Sequence, residues 1–347
     1  MSEKNKYNID SDISKARTLN ADYYTSDKIF NSSINSIFTK SWQLICHKNE
    51  LEDSNIIPII FLPDSISEPL AITKQHNSIY CVSNVCTHRG HVVCSKKKLG
   101  KSLVCRYHGR SFHLDGKFKN AIGFDGVKNF PLKKDNLRHM KVKEWKDFIF
   151  VSLNDTLDIS NVLSDIEGRV KLFPFNKIKY SKELSSTYKI DAHWALYCEN
   201  YLEGFHIPFV HKGLFKEIDN ESYSTILLDG GVLQRADSNH SPNNIYGHYY
   251  WIFPNLMLNF YNWGLSINII EPIAKNQTRV RFLSYPIEDN KSTREAINDL
   301  KTVELEDQKA VKSVQRGIES RYYSDGRYSV DHETGVHYFH SLLSHFI

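Results

Sequence analysis

Several common functional patterns are missing from this 347-residue sequence, and each absence narrows what the protein does. There is no G-x-G-x-x-G segment or other nucleotide fingerprint, so we do not expect the chain to take hydride from NAD(P)H itself. No apolar run reaches the roughly 20 residues of a membrane-spanning helix, and residues 1–12 lack the apolar core of a signal peptide. We therefore expect no membrane contact and a cytoplasmic location.

The charge balance and the low cysteine content exclude two further classes. The 44 Lys and Arg residues nearly match the 40 Asp and Glu residues, and a net charge of +4 does not favour nucleic-acid binding. Cysteine is scarce, at 6 residues, and no disulfide framework is evident in the spacing of four of them: Cys46, Cys81, Cys94 and Cys198. The length predicts two domains, and a hydrophobic content of 41% is enough for a sizeable core.

The other two cysteines belong to a pair of short motifs. Cys86-Thr87-His88 is followed, after sixteen residues, by Cys105-Arg106-Tyr107-His108. Chance would give about 0.3 occurrences of each spacing in a chain of this composition, so finding both close together is informative. Two thiolates on one iron and two imidazoles on the other are the ligands of a Rieske [2Fe–2S] cluster. The motifs therefore predict a one-electron carrier.

A structural zinc site is the main alternative for these four residues, because two Cys and two His also suit tetrahedral Zn²⁺. Zinc sites usually pair Cys with Cys and His with His, whereas each motif here mixes the two. Gly90 and Gly109 follow the motifs, where a loop has to turn tightly around a cluster. The pattern favours the cluster over zinc.

The pattern of the rest of the chain predicts an α+β protein with a β-rich first half. Between the motifs, Ser95–Lys101 reads as a basic hairpin tip, either a solvated turn or a docking rim for an acidic electron donor. A long helix is predicted at about Thr293–Ser320, with Ser292 and Glu295 as a capping box. The predicted strands are Ile57–Leu62, Ile79–Asn84, Ser111–Leu114, Phe148–Leu153, Ser224–Leu233, Tyr246–Phe253, Leu256–Tyr261, Leu265–Glu271 and Thr278–Tyr285.

A second candidate site lies in residues 200–211. A helix is predicted from Asp191 to Phe205 and is expected to end before Pro208. Asn200, Glu203 and His206 would share one face of it. His211, beyond the break, could fold back to meet His206, although a pair of histidines at this spacing is weak evidence by itself.

Asp307 is the best candidate for a third ligand beside the two histidines. It stands inside an apolar stripe of the long helix, where a carboxylate is costly unless it is paired or bound to metal. Glu304, at the edge of the stripe, and Glu306, outside it, are less well placed. Two His and one carboxylate form the facial triad of non-haem Fe(II) oxygenases. The stripe consists of Ile297, Leu300, Val303, Val311 and Val314.

With both motifs in place, the chain resembles the catalytic α subunit of Rieske non-haem iron oxygenases over nearly its whole length. The resemblance implies that Cys86, His88, Cys105 and His108 bind the cluster and that His206, His211 and Asp307 bind a mononuclear Fe(II). It also implies that Glu203 bridges the two metal centres across a subunit boundary, with Asn200 beside the iron. Arg110 is a departure, because many relatives carry Trp after the Gly of this motif.

The resemblance further implies an architecture and partners. We expect an N-terminal helical segment (1–40), a Rieske domain of small antiparallel sheets (41–155) and a catalytic domain (156–347). The catalytic domain would be a helix-grip fold of START/Bet v1 type, with a curved antiparallel sheet around the long helix. The expected partners are an NAD(P)H-dependent reductase or ferredoxin, O₂ and a small substrate, and the expected assembly is a homotrimer.

The substrate and the reaction stay open at this level. Glu at position 203 is similar to the carnitine and choline monooxygenases, and the aromatic residues of 246–263 could form a cage for a quaternary ammonium group. Those rings could equally form a slot for an aromatic substrate, as in a ring-hydroxylating dioxygenase, or simply core. A non-catalytic Rieske electron-transfer protein and a zinc-stabilised binding protein are alternatives from other classes.

Overall fold

The computed structural model describes residues 7–154, 157–239 and 241–346. The chain forms two compact units, one of Thr39–Thr156 and one of Met1–Phe38 with Leu157–Ile347. Within the described ranges, no helix combines the length and the apolar character needed to cross a bilayer. The expected α+β class with antiparallel sheets and a long C-terminal helix is confirmed.

The smaller unit consists of two antiparallel sheets. Its strands are β1 (Gln43–His47), β2 (Ile56–Phe61), β3 (Glu68–Gln75), β4 (Ser78–Ser83), β5 (Leu103–Val104), β6 (Ser111–Phe112), β7 (Phe118–Asn120), β8 (His139–Trp145) and β9 (Phe148–Ser152). Six of them form a sheet in the order β1-β9-β8-β4-β3-β2, and β5-β6-β7 form the second sheet. A shared apolar cluster includes Val82, Leu103 and Phe112 together with Cys86 and Cys105. The thiols are therefore part of the core of this unit.

The larger unit is a seven-stranded antiparallel sheet with helices packed on it. Its strands are β10 (Ser181–Ile190), β11 (Ile218–Leu228), β12 (Gly231–Ser238), β13 (Ser241–Ile252), β14 (Leu256–Tyr261), β15 (Gly264–Ala274) and β16 (Gln277–Pro286), in the order β10-β16-β15-β14-β13-β12-β11. Its helices are α1 (Asp22–Thr25), α2 (Asp27–Ser33), α3 (Ser160–Arg169), α4 (Trp194–Tyr201), α5 (Ile207–Val210), α6 (Leu214–Glu217), α7 (Lys291–Ile318) and α8 (Thr334–Ser344). The long helix α7 packs against α4 and β10.

Two sequence predictions are wrong in detail, and one strand was not predicted. The predicted strand Ser224–Leu233 is a hairpin, because Gly230 at φ +78° turns the chain between β11 and β12. The edge strand β10 was not predicted, because its mostly polar sequence lacks an apolar alternation. Ser95–Lys101 is not a hairpin tip, since Lys98 pairs with Ile56 in an isolated bridge.

The long helix α7 begins earlier than predicted and buries a different stripe. Asn290, not Ser292, is the N-cap, and its side-chain oxygen accepts a hydrogen bond from the Thr293 N–H at 3.0 Å. Val314, predicted in the stripe, is 49% exposed. The buried positions recur at intervals of three, four or seven residues, as one face of a helix requires. They are Thr293, Ile297, Glu304, Val311, Gln315 and Ile318.

Helix α4 is shorter than the predicted Asp191–Phe205, and it is fixed at its start by His193. The His193 Nδ1 accepts a hydrogen bond from the Ala195 N–H at 3.2 Å, so the imidazole caps the helix. The His193 backbone N–H donates to the Gln315 side chain of α7 at 2.8 Å. Aromatic rings of the N-terminal segment, Tyr23 and Phe30, enclose the imidazole. Complete burial lowers the pKa of His193 to about 3.

This buried cap predicts a pH dependence of stability. The folded-state pKa of His193 lies below its unfolded value, so its contribution to stability is present above about pH 6.5 and is lost as the pH falls towards 3. The slope is at most about 1.4 kcal/mol per pH unit. His193→Asn keeps a capping oxygen without a titrating group, so urea denaturation at pH 7.5 and 5.0 should show a smaller acid loss than in wild type.

The matched control is His76→Asn, in the exposed turn between β3 and β4, which should leave the acid loss unchanged. Equal acid losses in wild type and His193→Asn would contradict the assignment.

Candidate cluster and iron sites

The two Cys–His motifs fold into loops with the same backbone hydrogen bonds. The Cys86 carbonyl accepts from the Gly90 N–H at 3.0 Å, and the Cys86 N–H donates to the His91 carbonyl at 2.9 Å. Cys105 makes the equivalent bonds, to Gly109 at 3.0 Å and Arg110 at 2.8 Å. Both glycines have φ near +70°, a conformation that disfavours other residues. Two similar turns therefore present one cysteine and one histidine each.

The thiols of these loops are buried, whereas the imidazoles lie nearer the surface. Cys86 and Cys105 belong to the core, the His88 and His108 rings are 4.8 Å apart, and His108 is exposed. Among the described residues, these four do not form a set of donors close enough for a single ion. This arrangement fits two irons with different ligands better than one zinc ion.

The second set of donors lies within the span of one ion. The Nε2 atoms of His206 and His211 are 3.1 Å apart. The Asp307 Oδ1 is 2.9 Å from the His211 Nε2 and 3.5 Å from the His206 Nε2. Three ligands at about 2.1 Å and at right angles would have donor atoms about 3.0 Å apart. The residues present therefore fit a mononuclear iron with one face left open.

The loop after α4 positions both histidines. Glu203 and His206 lie beyond the end of α4 at Tyr201, and Pro208 is inside the short helix α5 instead of ending a long one. His206 precedes α5 and His211 follows it, so a single helical turn brings their rings together. Gly204 is needed here, because a Cβ at this position would lie 2.5 Å from the Tyr223 ring. Asp307 comes from α7, on the other side of the donors.

Two carboxylates hold the histidine rings from behind. The His206 Nδ1 is 2.6 Å from the Glu203 Oε1, and the His206 backbone N–H donates to the Glu203 Oε2 at 3.0 Å. The His211 Nδ1 is 2.8 Å from the Glu306 Oε2. Each carboxylate accepts from an Nδ1–H, which leaves the Nε2 lone pair for the metal. The contact of Glu306 with His211 was not predicted, because its α7 position lies outside the buried stripe and only its long side chain reaches the imidazole.

Without a metal, the candidate iron site favours the protonated form of its histidines. Burial lowers the pKa of His206, but hydrogen bonds to Asp307 and Glu203 outweigh this and raise it to about 9. Burial raises the pKa of Asp307, yet the two histidines bring it below its usual value. Metal ligands have to be unprotonated, so metal uptake at neutral pH releases a proton from His206, His211 and Asp307 as a group.

A cavity opens beside the triad and contains both aromatic rings and carboxylates. Asn200, Glu203 and Glu304 line it together with the three metal-binding candidates. Glu304, predicted at the edge of the stripe, is in fact buried and accepts a hydrogen bond from the Tyr197 hydroxyl, and burial raises its pKa to about 8. In the sequence, Glu304 could be linked to the site only by its position three residues before Asp307, on the same face of the helix. The aromatic lining consists of Tyr197, Tyr201, Tyr223, Tyr249, Tyr261 and Phe282.

Some of the aromatic residues that could form the predicted cage lie elsewhere in the structure. Of the rings in residues 246–263, Tyr249 and Tyr261 line this cavity. Tyr250 and Trp251 are fully buried core residues. Tyr246 and Trp263 line an adjoining cavity, together with Glu217, Asp299 and Glu306. Alternate positions of a strand face opposite sides of the sheet, so the strand pattern alone could not assign these rings.

Two protein families match parts of this chain. The Rieske [2Fe-2S] domain family matches residues 41–131, and the ring hydroxylating alpha subunit (catalytic domain) family matches residues 227–347. The chloroplastic choline monooxygenase of Arabidopsis thaliana is 26% identical, over 96% of this chain and 83% of that protein. The carnitine monooxygenase oxygenase subunit of Escherichia coli strain K12 is also 26% identical, over 95% and 94% of the two chains.

A solved structure shows the same fold. The quaternary ammonium Rieske monooxygenase CntA in complex with its substrate L-carnitine has a TM-score of 0.82 and 24% identity, over 97% of both chains. A Rieske domain and a ring-hydroxylating catalytic domain in one chain define the catalytic subunits of the Rieske oxygenases. The chain belongs to the Rieske non-haem iron oxygenases, as the α subunit type. It uses one [2Fe–2S] cluster and one mononuclear iron, and its electrons come from a partner protein.

Metal analysis tests the assignment of the cluster ligands. We expect three irons and two acid-labile sulfides per chain, because the cluster contributes two irons and the triad one. His88→Ala or Cys105→Ala should remove the visible cluster spectrum, since each deletes a direct ligand. Exchange of the buried but unassigned Cys81 for Ala is the control and should leave the spectrum in place. Stoichiometric zinc without sulfide in the purified protein would contradict the assignment.

Substitution of Asp307 separates the two sites. Asp307→Ala should keep the cluster spectrum but bind only the two cluster irons and form no product, because the triad loses its carboxylate. The comparison variant is Glu306→Gln, which removes only the carboxylate behind His211 and should weaken iron binding by about 10- to 100-fold. Turnover in Asp307→Ala, with loss of turnover in Glu304→Ala or Glu306→Ala, would show that the wrong ligand has been named.

Proposed function

We propose that this chain is the terminal oxygenase component of a quaternary ammonium oxygenase, which hydroxylates or oxidatively cleaves its substrate. The observation that supports this proposal is the composition of the cavity beside the triad. Rings such as Tyr223, Tyr249 and Tyr261 offer π faces to a trimethylammonium group, and a bound cation would favour the ionised form of Glu304, whose pKa burial raises to about 8. A slot for an aromatic hydrocarbon would be more apolar, so the carboxylates favour a cation over the aromatic-ring alternative.

The charges around the cavity favour a cation that carries no carboxylate. Among the described residues that line it there is no Lys or Arg to pair with a substrate carboxylate. The adjoining cavity shares Leu214, Tyr261, Leu300 and Val303 with the first, and its described lining likewise combines carboxylates with no Lys or Arg. Anionic groups are therefore disfavoured along both cavities. We propose that a choline-like alcohol fits better than a zwitterion such as carnitine.

Three substrates of similar shape test this proposal. With a generic reductase, O₂ uptake and product formation are measured for choline, carnitine and 3,3-dimethylbutan-1-ol, the uncharged analogue of choline. Choline should give the highest kcat/KM, and the neutral alcohol should lose at least tenfold, because it keeps the shape without the charge. Equal turnover of choline and the neutral alcohol, or a preference for carnitine, would contradict it.

The cluster, when present, supplies electrons one at a time, and the mononuclear iron supplies O₂ activation. The protein's own residues fix geometry and solvent access. Glu203 and Glu306 hold the two imidazoles in the tautomer with a free Nε2. The buried walls around Tyr197 and Glu304 limit water at the reacting position. We place Asn200 at the cavity wall as a polar contact to substrate or water.

We propose that the protein is a homotrimer in which Glu203 links His206 to His108 of a neighbouring subunit. Near Glu203, Phe205 and Phe209 are exposed, with 74% of Phe209 in solvent. Near the His108 loop, apolar side chains are likewise exposed, with 76% of Ile122 in solvent. Large apolar residues at both surfaces suit a subunit contact that would cover them. A carboxylate has further lone pairs after binding His206, so it can accept a second imidazole.

The proposal extends to location and electron donor. No disulfide joins the six cysteines, all of which lie in the described residues, and this suits the reducing cytoplasm that we propose. The donor would be an NAD(P)H-dependent reductase or a ferredoxin, since the sequence has no nucleotide fingerprint of its own.

Substitution of Glu203 tests the proposed link. Glu203→Gln keeps the size and one acceptor oxygen but replaces the other with an NH₂ donor, so it cannot accept from both imidazoles. Both metal sites should still fill when iron is supplied in excess, because neither site loses a direct ligand and iron binding weakens only as in Glu306→Gln. Cluster reoxidation with substrate and O₂ should slow by orders of magnitude in rapid mixing. The comparison variant is Glu306→Gln, which changes the carboxylate behind the other histidine. A wild-type reoxidation rate in fully loaded Glu203→Gln would refute the link.

A further inference from the structure

Arg110, in the second ligand loop, is a buried cation surrounded by aromatic rings. The side chain is only 3% exposed. Its Cζ lies 4.9 Å from the ring centroid of Phe124, 5.0 Å from that of Phe130 and 5.6 Å from that of Phe118. Three rings around one guanidinium form a cation–π box that excludes water from the charge.

The guanidinium is joined to both ligand loops. Its Nη1 donates to the Thr87 Oγ1 at 3.1 Å, and Thr87 stands between Cys86 and His88. The Arg110 backbone carbonyl accepts the Cys105 N–H at 2.8 Å, next to the other buried thiol. The ring of Phe124, which covers the guanidinium, also contacts the His88 ring at 5.2 Å. The positive charge therefore lies against the loops that hold the cluster.

Within the described part of the chain, one carboxylate is paired with this charge, and it offsets the charge incompletely. The Asp135 Oδ1 is 3.4 Å from the Arg110 Nη1, which is long for an ion pair, and Asp135 is more exposed than Arg110. A charge in a water-poor, aromatic environment acts on its neighbours more strongly than the same charge at the surface. Arg106 lies on the same loop but is exposed, so solvent and salt screen its charge, and it serves as a comparison for Arg110.

We propose that Arg110 sets the reduction potential of the cluster, raising it, and that Asp135 moderates this effect. Reduction adds one electron to the cluster and makes its charge one unit more negative, without a bond or proton transfer at Arg110. A buried cation stabilises the reduced form relative to the oxidised form, which raises the potential. Arg110 is thus a positioning residue that acts through the cluster and its loops and touches no substrate.

Redox titration of the loaded protein with dithionite, followed by the visible and EPR spectra of the cluster, tests this role. Arg110→Gln should lower the potential, and Arg110→Lys, which keeps the charge, should stay closer to wild type. Asp135→Asn should shift the potential in the opposite direction, upwards, because it removes the compensating carboxylate. Arg106→Gln is the matched control and should shift the potential less than Arg110→Gln.

The pair of opposite shifts separates an electrostatic role from a structural one. If Arg110 served only to pack the loops, Arg110→Gln and Asp135→Asn would shift the potential in the same direction or not at all, and the proposal would fail. If Arg110→Gln does not retain its cluster, Asp135→Asn decides alone. A raised potential in Asp135→Asn supports the proposal, and an unchanged or lowered one overturns it.

Discussion

The network of hydrogen bonds and ion pairs that joins Glu203, His206, Asp307, His211 and Glu306 is the constraint around which the larger unit is organised. Its members come from the loop after α4, from the residues flanking α5 and from the middle of α7. Each imidazole lies between a carboxylate behind it and Asp307 in front, so both rings have fixed orientations. Such a cluster of like-charged carboxylates is stable only with protons or a cation at its centre, which makes it suited to hold a metal.

The helices and strands packed around these five side chains explain why the segments that carry them meet. Helix α4 is capped by the buried His193, whose backbone is tied to Gln315 of α7. The same helix α7 carries Asp307 two turns earlier, so one packing contact fixes the relative position of both ligand-bearing segments. Gly204 then lets Tyr223 of the sheet pack against the loop between Glu203 and His206. The candidate ligands are therefore positioned by secondary structure and close packing, as a metal site with open positions requires.

The two metal sites use different means to control charge. The cluster loops bury their thiols in an apolar core, expose their imidazole end and keep a cation, Arg110, inside an aromatic box. The iron site is surrounded by carboxylates and tyrosines, and no Lys or Arg is found in the described lining of its cavity. The two sites therefore differ in local charge, as the proposed redox role of Arg110 and the proposed cationic substrate require.

The sequence by itself determined the class of protein. Two Cys–His motifs at a rare spacing, and a carboxylate inside a helical stripe, are local patterns whose chemistry follows from residue types and spacing, and the family and the α+β fold are confirmed. Asp307 could be predicted from the apolar stripe of the long helix, because helical periodicity is a local property of the sequence. Only the tertiary structure decided which carboxylates lie behind the histidines, which tyrosines line the cavity and why Arg110 is buried. Glu306 reaches His211 from 95 positions away, and Arg110 meets Phe130 only because the chain folds back. Such contacts depend on how distant segments pack, and no periodicity within one segment contains that information.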